Sequence, residues 1–260
     1  MAVKYVEFTH KVNKADVPVC DILGVRLAVT DMQKLVEFTE KNLKDLSGDY
    51  YCFSNVHTAV MAHDDRHYRM VQNGGAIAAP DGGPLSYVGR RRGYADMQRV
   101  AGPSFMEEIF AISGEKGYRH YFYGATQETL DKMREKLERE YPDLVIAGMY
   151  SPPFRRLTDE EDCEVVRMIN DAHPDFVWVG LGAPKQEIWM ARHRGRVDGL
   201  MAGVGAAFDY YAENIKRAPL WMQSCNLEWL YRLAQNPKKL FRRYLYTNLK
   251  FLWLIYVMKK

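Results

Sequence analysis

Residues 178–187 read Trp-Val-Gly-Leu-Gly-Ala-Pro-Lys-Gln-Glu and hold the densest concentration of binding chemistry in the chain. An apolar run ends in Gly180 and Gly182, which open a tight turn. Pro184 then stands where a first helical residue would, because its missing N–H is one of the unpaired donors there. A strand, a glycine turn and a helix N-terminus together make an anion site, with backbone N–H groups and the positive end of the helix dipole facing the ligand. Lys185 adds a point charge and Gln186 a donor and an acceptor at the rim. An ordinary β–α turn with a surface Lys and Gln has the same local pattern.

Asp81 follows a short apolar segment and precedes Gly82-Gly83-Pro84. Glycines there let a substrate approach the backbone, and a carboxylate could take the proton of an attacking hydroxyl. An Asp-Gly turn bonded only to itself is the alternative. Arg99 could neutralise a departing diphosphate or form a surface ion pair. Asn55, at another strand end, suits a ligand hydroxyl; His57 could do the same or cap the next helix. Gly124, Thr126, Gly203 and Asp209 complete the candidates for substrate binding. His63, Asp64, Asp65 and His67 read as a solvated helix face, and no Asp-x-Asp triplet suggests a metal clamp. Neither metal nor cofactor is expected.

These residues need a scaffold that brings strand ends together. Apolar segments at 51–53, 76–79, 120–123, 144–147, 176–179 and 200–204 alternate with helical patterns, among them 31–46, 58–73, 127–141 and 163–172. Thr126 reads as a helix cap, and Thr158 with Glu161 as a capping box. Single helices between strands imply an α/β, Rossmann-like, doubly wound and mostly parallel six-stranded sheet, with ligands bound beyond the carboxyl ends of the strands. The expected organisation is an N-terminal extension (1–20), a catalytic domain (21–212) and a helical, basic C-terminal appendage (213–260).

The chain has 260 residues, 47% hydrophobic and 27% charged, a globular composition. Four cysteines without a Cys-x-x-Cys pair argue against a zinc knuckle or disulfide framework and for a reducing compartment. The first 20 residues show no apolar signal-peptide core. Eight basic residues and no acidic one follow Glu228, so the net charge of +3 divides into −5 up to that point and +8 after it. The uncharged run 251–258 is too short to span a bilayer, which takes about 20 residues. Basic groups mixed with aromatics, Leu and Ile suit a helix lying at an anionic membrane surface. A terminal helix docked on the body is the alternative. No nucleic-acid module accompanies the charge, and homo-oligomers are compatible with this reading.

Gly182-Ala183-Pro184-Lys185-Gln186-Glu187, Asp81-Gly82, Arg99-Val100-Ala101-Gly102, Arg217-Ala218-Pro219 and Leu227-Glu228-Trp229-Leu230-Tyr231-Arg232-Leu233 together resemble the WecG/TagA/CpsF glycosyltransferase family, which acts in teichoic acid, enterobacterial common antigen and exopolysaccharide synthesis. The resemblance covers residues 21–246. It implies an inverting, metal-independent transfer from a UDP-sugar to a polyprenyl-diphosphate-linked sugar, by a peripheral protein at the cytoplasmic face of the membrane. It makes Asp81 the base, Asn55 a sugar contact, and Arg99 and Gln186 further site residues. Arg217, Arg232, Arg242 and Arg243 become the candidates for arginines that the appendage brings to the diphosphate. Family members that transfer N-acetylmannosamine tend to carry Thr where this chain has Phe53, which favours a plain hexose such as glucose. Two other classes fit parts of the pattern. Gly180-x-Gly182 is a partial fingerprint of an NAD-dependent Rossmann oxidoreductase, with Lys185 at its third glycine position, and a basic tail alone would serve a non-catalytic membrane scaffold.

Overall fold

A computed structural model describes Lys11, residues 17–225 and residues 227–259. Most of the expected 1–20 extension and the terminal Lys260 lie outside the described residues. The first described elements are two strands that the sequence pattern did not reveal, β1 (Val19–Ile22) and β2 (Val25–Ala28), paired antiparallel. Their turn, Leu23-Gly24, has positive φ at both residues, as a two-residue hairpin requires, without the Asn-Gly that usually announces one. β1 crosses the expected boundary between residues 20 and 21.

The six apolar segments all become strands: β3 (Tyr50–Ser54), β4 (Ile77–Pro80), β5 (Arg119–Gly124), β6 (Val145–Tyr150), β7 (Phe176–Gly180) and β8 (Leu200–Gly203). They form one sheet in the order β4-β3-β8-β7-β5-β6, every pairing parallel. Alternate residues of a strand face opposite sides. Tyr50, Cys52, Val177, Val179 and Met201 enter one core cluster, while Tyr51, Phe53, Phe176, Trp178 and Leu200 enter the other. Both faces are therefore covered, which is why these strands read as apolar runs rather than as alternating ones.

α1 (Met32–Leu46), α5 (Gly102–Lys116), α6 (Gln127–Glu140) and α9 (Ala207–Tyr211) supply the second cluster. α2 (Val56–Asp64), α3 (Arg66–Gly74), α4 (Gly83–Arg91), α7 (Asp159–Asp171) and α8 (Lys185–His193) supply the first. The expected helix at 58–73 is two helices. Asp65 ends α2 and caps α3 by accepting from the N–H groups of His67 and Tyr68. α4 and α5 each begin Gly-Pro, a pair that reads as a breaker but places proline in the first helical turn. The two capping expectations hold: Thr126 caps α6, and Thr158 with Glu161 forms the box of α7.

From β5 the chain moves to β6 at one edge, and from β7 it moves to β8 in the opposite direction. The loops after β5 and β7 thus flank a topological switch point, where open parallel sheets bind ligands. Beyond α9 come α10 (Leu220–Ser224), α11 (Glu228–Gln235) and α12 (Pro237–Leu252), followed by a π-helical turn (Trp253–Val257). Leu240, Thr247, Phe251 and Leu254 are buried, and α12 packs on α2. On the other side Phe241, Leu245, Leu249, Leu252, Trp253 and Tyr256 stay exposed. The terminal helix is docked on the body and still presents an apolar stripe outward. Among the described residues no helix is long and apolar enough to cross a membrane.

Candidate active site

Parallel strands place Asn55 and Asp81 side by side. Asp81 and Gly82 donate their backbone N–H groups to Ser54 O, at 2.8 and 3.3 Å, so the loop after β4 lies against the end of β3. Gly82 needs to be small: a Cβ there would meet the Asn55 Cα at 3.3 Å. Asn55 caps α2, its Oδ1 accepting from the N–H groups of His57 and Thr58, which leaves the Nδ2 donors uncommitted among the described residues. Asp81 lies just before the N-terminus of α4.

Arg99 arrives because Val100 N–H donates to Pro80 O, extending the end of β4. Its Nε donates to Asp81 O at 2.7 Å, and its Nη2 lies 3.5 Å from Asp81 Oδ1. The same Nη2 lies 2.7 Å from Glu228 Oε2, and Glu228 Oε1 accepts from the Tyr210 hydroxyl at 3.2 Å. The Arg232 guanidinium sits 5.9 Å from the centre of the Tyr210 ring. Burial pushes the Asp81 carboxyl up to about 6; Arg99 and Arg232 oppose that rise and Glu228 reinforces it. An acid and an arginine from the loops thus meet an acid and an arginine from α11. Glu228 and Tyr210 are residues that sequence reasoning did not place in the site. Their only signals were the Leu-Glu-Trp block and the position of Glu228 as the last acidic residue.

The structure sorts the four appendage arginines. Arg232 reaches the Asp81 centre. Arg243 lies near His57, whose ring burial and that cation hold at about 4, hence neutral at pH 7. Arg242 is exposed. The Arg217 guanidinium makes two bonds to Glu107, at 2.6 and 2.7 Å, and one to Ser104 Oγ.

The glycine turn after β7 also differs from its expected form. Pro184 caps α8 instead of opening it, after a cis Ala183-Pro184 bond. Gln186 is not at the rim. It is 5% exposed and lies under the turn, accepting from Gly182 N–H and donating to Gly203 O and Glu187 Oε1. Gly203 accordingly serves close packing of α8 on β8, where a Cβ would meet Met190 Cε at 2.7 Å. Lys185 is exposed at the N-terminus of α8, and Gly182 is open on its outer side. Across the switch point Gly124, at φ +133, abuts the Gly180 backbone, and the Thr126 hydroxyl is spent on capping α6. Asp209 sits on α9, 3.4 Å from the Asn214 amide.

A buried polar relay joins the two halves. Ser54 Oγ bonds Gln72, Gln72 bonds the Tyr68 hydroxyl, and that hydroxyl faces Glu187, the partner of Gln186. Burial raises the Glu187 carboxyl. The His63–His67 cluster holds no metal arrangement: among the described residues no group of His, Cys, Asp or Glu is placed to bind one, and Asp64 pairs with Lys250 at 2.8 Å.

A family model described as "Glycosyl transferase WecG/TagA/CpsF family" matches residues 20–260. The chain belongs to this family. Membership gives no support to a dinucleotide-dependent oxidoreductase or to a bare scaffold. Among similar proteins, an N-acetylglucosaminyldiphosphoundecaprenol N-acetyl-beta-D-mannosaminyltransferase of Bacillus subtilis (strain 168) is 31% identical over 210 residues, covering 80% of each chain. One of the same name from Staphylococcus aureus (strain MW2) is 28% identical over 225 residues, covering 85% of this chain and 87% of its own. The family match includes the segment from Arg217 to the C-terminus, so α11, which carries Glu228 and Arg232, lies within the matched region.

Proposed function

We propose that the protein transfers a sugar from a UDP-sugar to a polyprenyl-diphosphate-linked sugar by a single inverting displacement. The observation that carries this reading is the Asp81 centre. A carboxylate raised to about 6 is mostly ionised at pH 7 yet basic enough to accept a proton, and two arginines stand beside it. The acceptor hydroxyl oxygen attacks the anomeric carbon, its proton passes to Asp81, and the bond from that carbon to the diphosphate oxygen breaks as UDP departs. Arg99 and Arg232 offset the negative charge that grows on the leaving group, without a metal ion. The donor diphosphate sits at the switch point, against the N-termini of α6 and α8 and beside Lys185. The uncommitted Nδ2 of Asn55 supports a sugar contact next to the base.

The relatives' names favour N-acetylmannosamine as the transferred sugar and an undecaprenyl-diphosphate-linked N-acetylglucosamine as acceptor. The preference for glucose rested on Phe53. That ring is buried, 5.5 Å from Phe105 in the core, so it supplies no argument about the donor. Transfer from a panel of UDP-sugars to a short-chain polyprenyl-diphosphate N-acetylglucosamine, read by mass spectrometry, tests the reading. Product from UDP-N-acetylmannosamine supports it, and no product from any donor overturns it.

The appendage supports a peripheral place at the cytoplasmic face of the membrane. The exposed stripe from Phe241 to Tyr256 is interleaved with Arg242, Lys250 and Lys259, and aromatic and basic groups together suit an interfacial helix. Beside it opens a shallow cleft of about 240 Å³ edged by Arg91, Arg92 and Lys259.

A further inference from the structure

We infer that Glu228, carried by the appendage, is a positioning residue of the Asp81 centre: it takes the shorter share of the Arg99 guanidinium, keeps that cation 3.5 Å from the Asp81 carboxylate instead of in a close pair, and so leaves the carboxylate available to take a proton. The inference rests on the reading of Asp81 as the base. Its ground is the unequal sharing of one donor group. Arg99 Nη2 is 2.7 Å from Glu228 Oε2 and 3.5 Å from Asp81 Oδ1, and Arg99 Nε is bound to the Asp81 backbone carbonyl rather than to its side chain. Glu228 is itself held by the Tyr210 hydroxyl, from α9.

Charged and titratable groups face Asp81 from three directions: Arg99 from the loop before α5, Glu228 and Arg232 from α11, and Tyr210 from α9. Two effects of Glu228 have the same sign. Its own charge disfavours ionisation of Asp81, and its hold on Arg99 weakens the pull of a cation that favours it. Without the Glu228 charge, Arg99 moves onto Asp81, the carboxylate becomes a weaker base, and its proton affinity drops. A residue that merely tethers α11 to the body would leave that affinity unchanged.

The test compares full-length wild type, Glu228→Gln and Glu228→Asp. Titration of the Asp81 side-chain carbon by NMR, assigned with Asp81→Asn, is read beside the pH dependence of kcat and kcat/KM. In Glu228→Gln the Asp81 midpoint is expected to fall by about one pH unit, the range for a carboxylate gaining a cationic neighbour. The acid limb of the rate profile should move with it, and the plateau kcat should drop several-fold with little change in donor KM. Glu228→Asp, which keeps the charge, should restore most of the midpoint. An unchanged midpoint in a folded Glu228→Gln protein overturns the inference, as does a loss confined to thermal stability or donor KM. Should Glu228→Gln not fold, Arg99→Gln decides. With the cation gone and Glu228 still present, the Asp81 midpoint must rise above that of wild type, and no rise overturns the inference. The NMR midpoints need no substrate. If no UDP-sugar is turned over, the transferase reading fails while the titration still judges Glu228.

Discussion

Arg99 and Glu228 stand 129 positions apart in the chain and 2.7 Å apart in the fold. The contact joins the loop before α5, which also bonds Asp81, to the appendage, so the surroundings of Asp81 include an element outside the sheet. Asp81 is where that contact becomes measurable.

Replacement of Asp81 by Asn should reduce kcat by about 10²–10⁴-fold, the range for losing a positioned base, while UDP affinity stays within a few-fold of wild type. Stopped-time product assays and calorimetric titration with UDP measure the two quantities. Turnover within threefold of wild type would remove Asp81 from its role.

The same substitution should stabilise the fold at alkaline pH. Burial raises the Asp81 carboxyl from its ordinary 3.8 to about 6, so the folded state binds the proton more tightly than the unfolded chain. Stability is then greatest below the unfolded value and falls as pH rises through the folded one, costing on the order of 3 kcal/mol by neutrality. Asp81→Asn escapes that cost. Its melting temperature should exceed that of wild type by several degrees at pH 8, with the difference vanishing towards about pH 4. A lower melting temperature at pH 8 would contradict the burial argument.

Activity should climb with pH through about 6 and level above it, because Asp81 must be ionised to accept a proton. His57, neutral at these pH values, adds no second step. Addition of EDTA should leave the profile where it is if arginines alone offset the charge of the leaving diphosphate. A fall in rate on chelation, restored by a divalent cation, would assign part of that work to a metal.

Gln186→Leu should destabilise the protein more than its place in the turn suggests. It strips partners from Gly182 N–H, Gly203 O and Glu187 in a buried setting, at roughly 1–3 kcal/mol for each group left unpaired. Urea unfolding at pH 7 reads the loss. A change below about 0.5 kcal/mol, the size typical of a surface site, would return Gln186 to the rim.

Leu245, Leu249 and Trp253 are exposed, so replacing all three by Gln should scarcely alter stability. Co-sedimentation with vesicles containing phosphatidylglycerol should fall at least tenfold, and high salt should weaken wild-type binding in the same assay. Equal sedimentation of variant and wild type would remove the interfacial role from this stripe.

The sheet was legible because strands covered on both faces must be apolar throughout, as Val177, Trp178 and Val179 are. What escaped notice did so for physical reasons. The hairpin at Leu23-Gly24 takes left-handed φ without the residues that advertise it, and Gly83-Pro84 and Gly102-Pro103 look like breaks although a proline fits a first helical turn. Asp81 and Asn55 could be proposed because each follows a strand, and Arg99 because of its charge in the Arg99-Val100-Ala101-Gly102 motif. Glu228 could not, since nothing local to it records a partner 129 residues upstream. Gln186 looked outward-facing because a polar side chain carries no mark of burial in its own sequence neighbourhood.

The relay from Ser54 through Gln72 and Tyr68 to Glu187 and Gln186 fastens the ends of β3, β7 and β8 into a single floor. Glu228 and Arg232 come from outside that floor, on α11, a helix without a single buried residue. The two sides of the Asp81 centre are therefore anchored unequally, one by a buried network and the other by surface contacts alone.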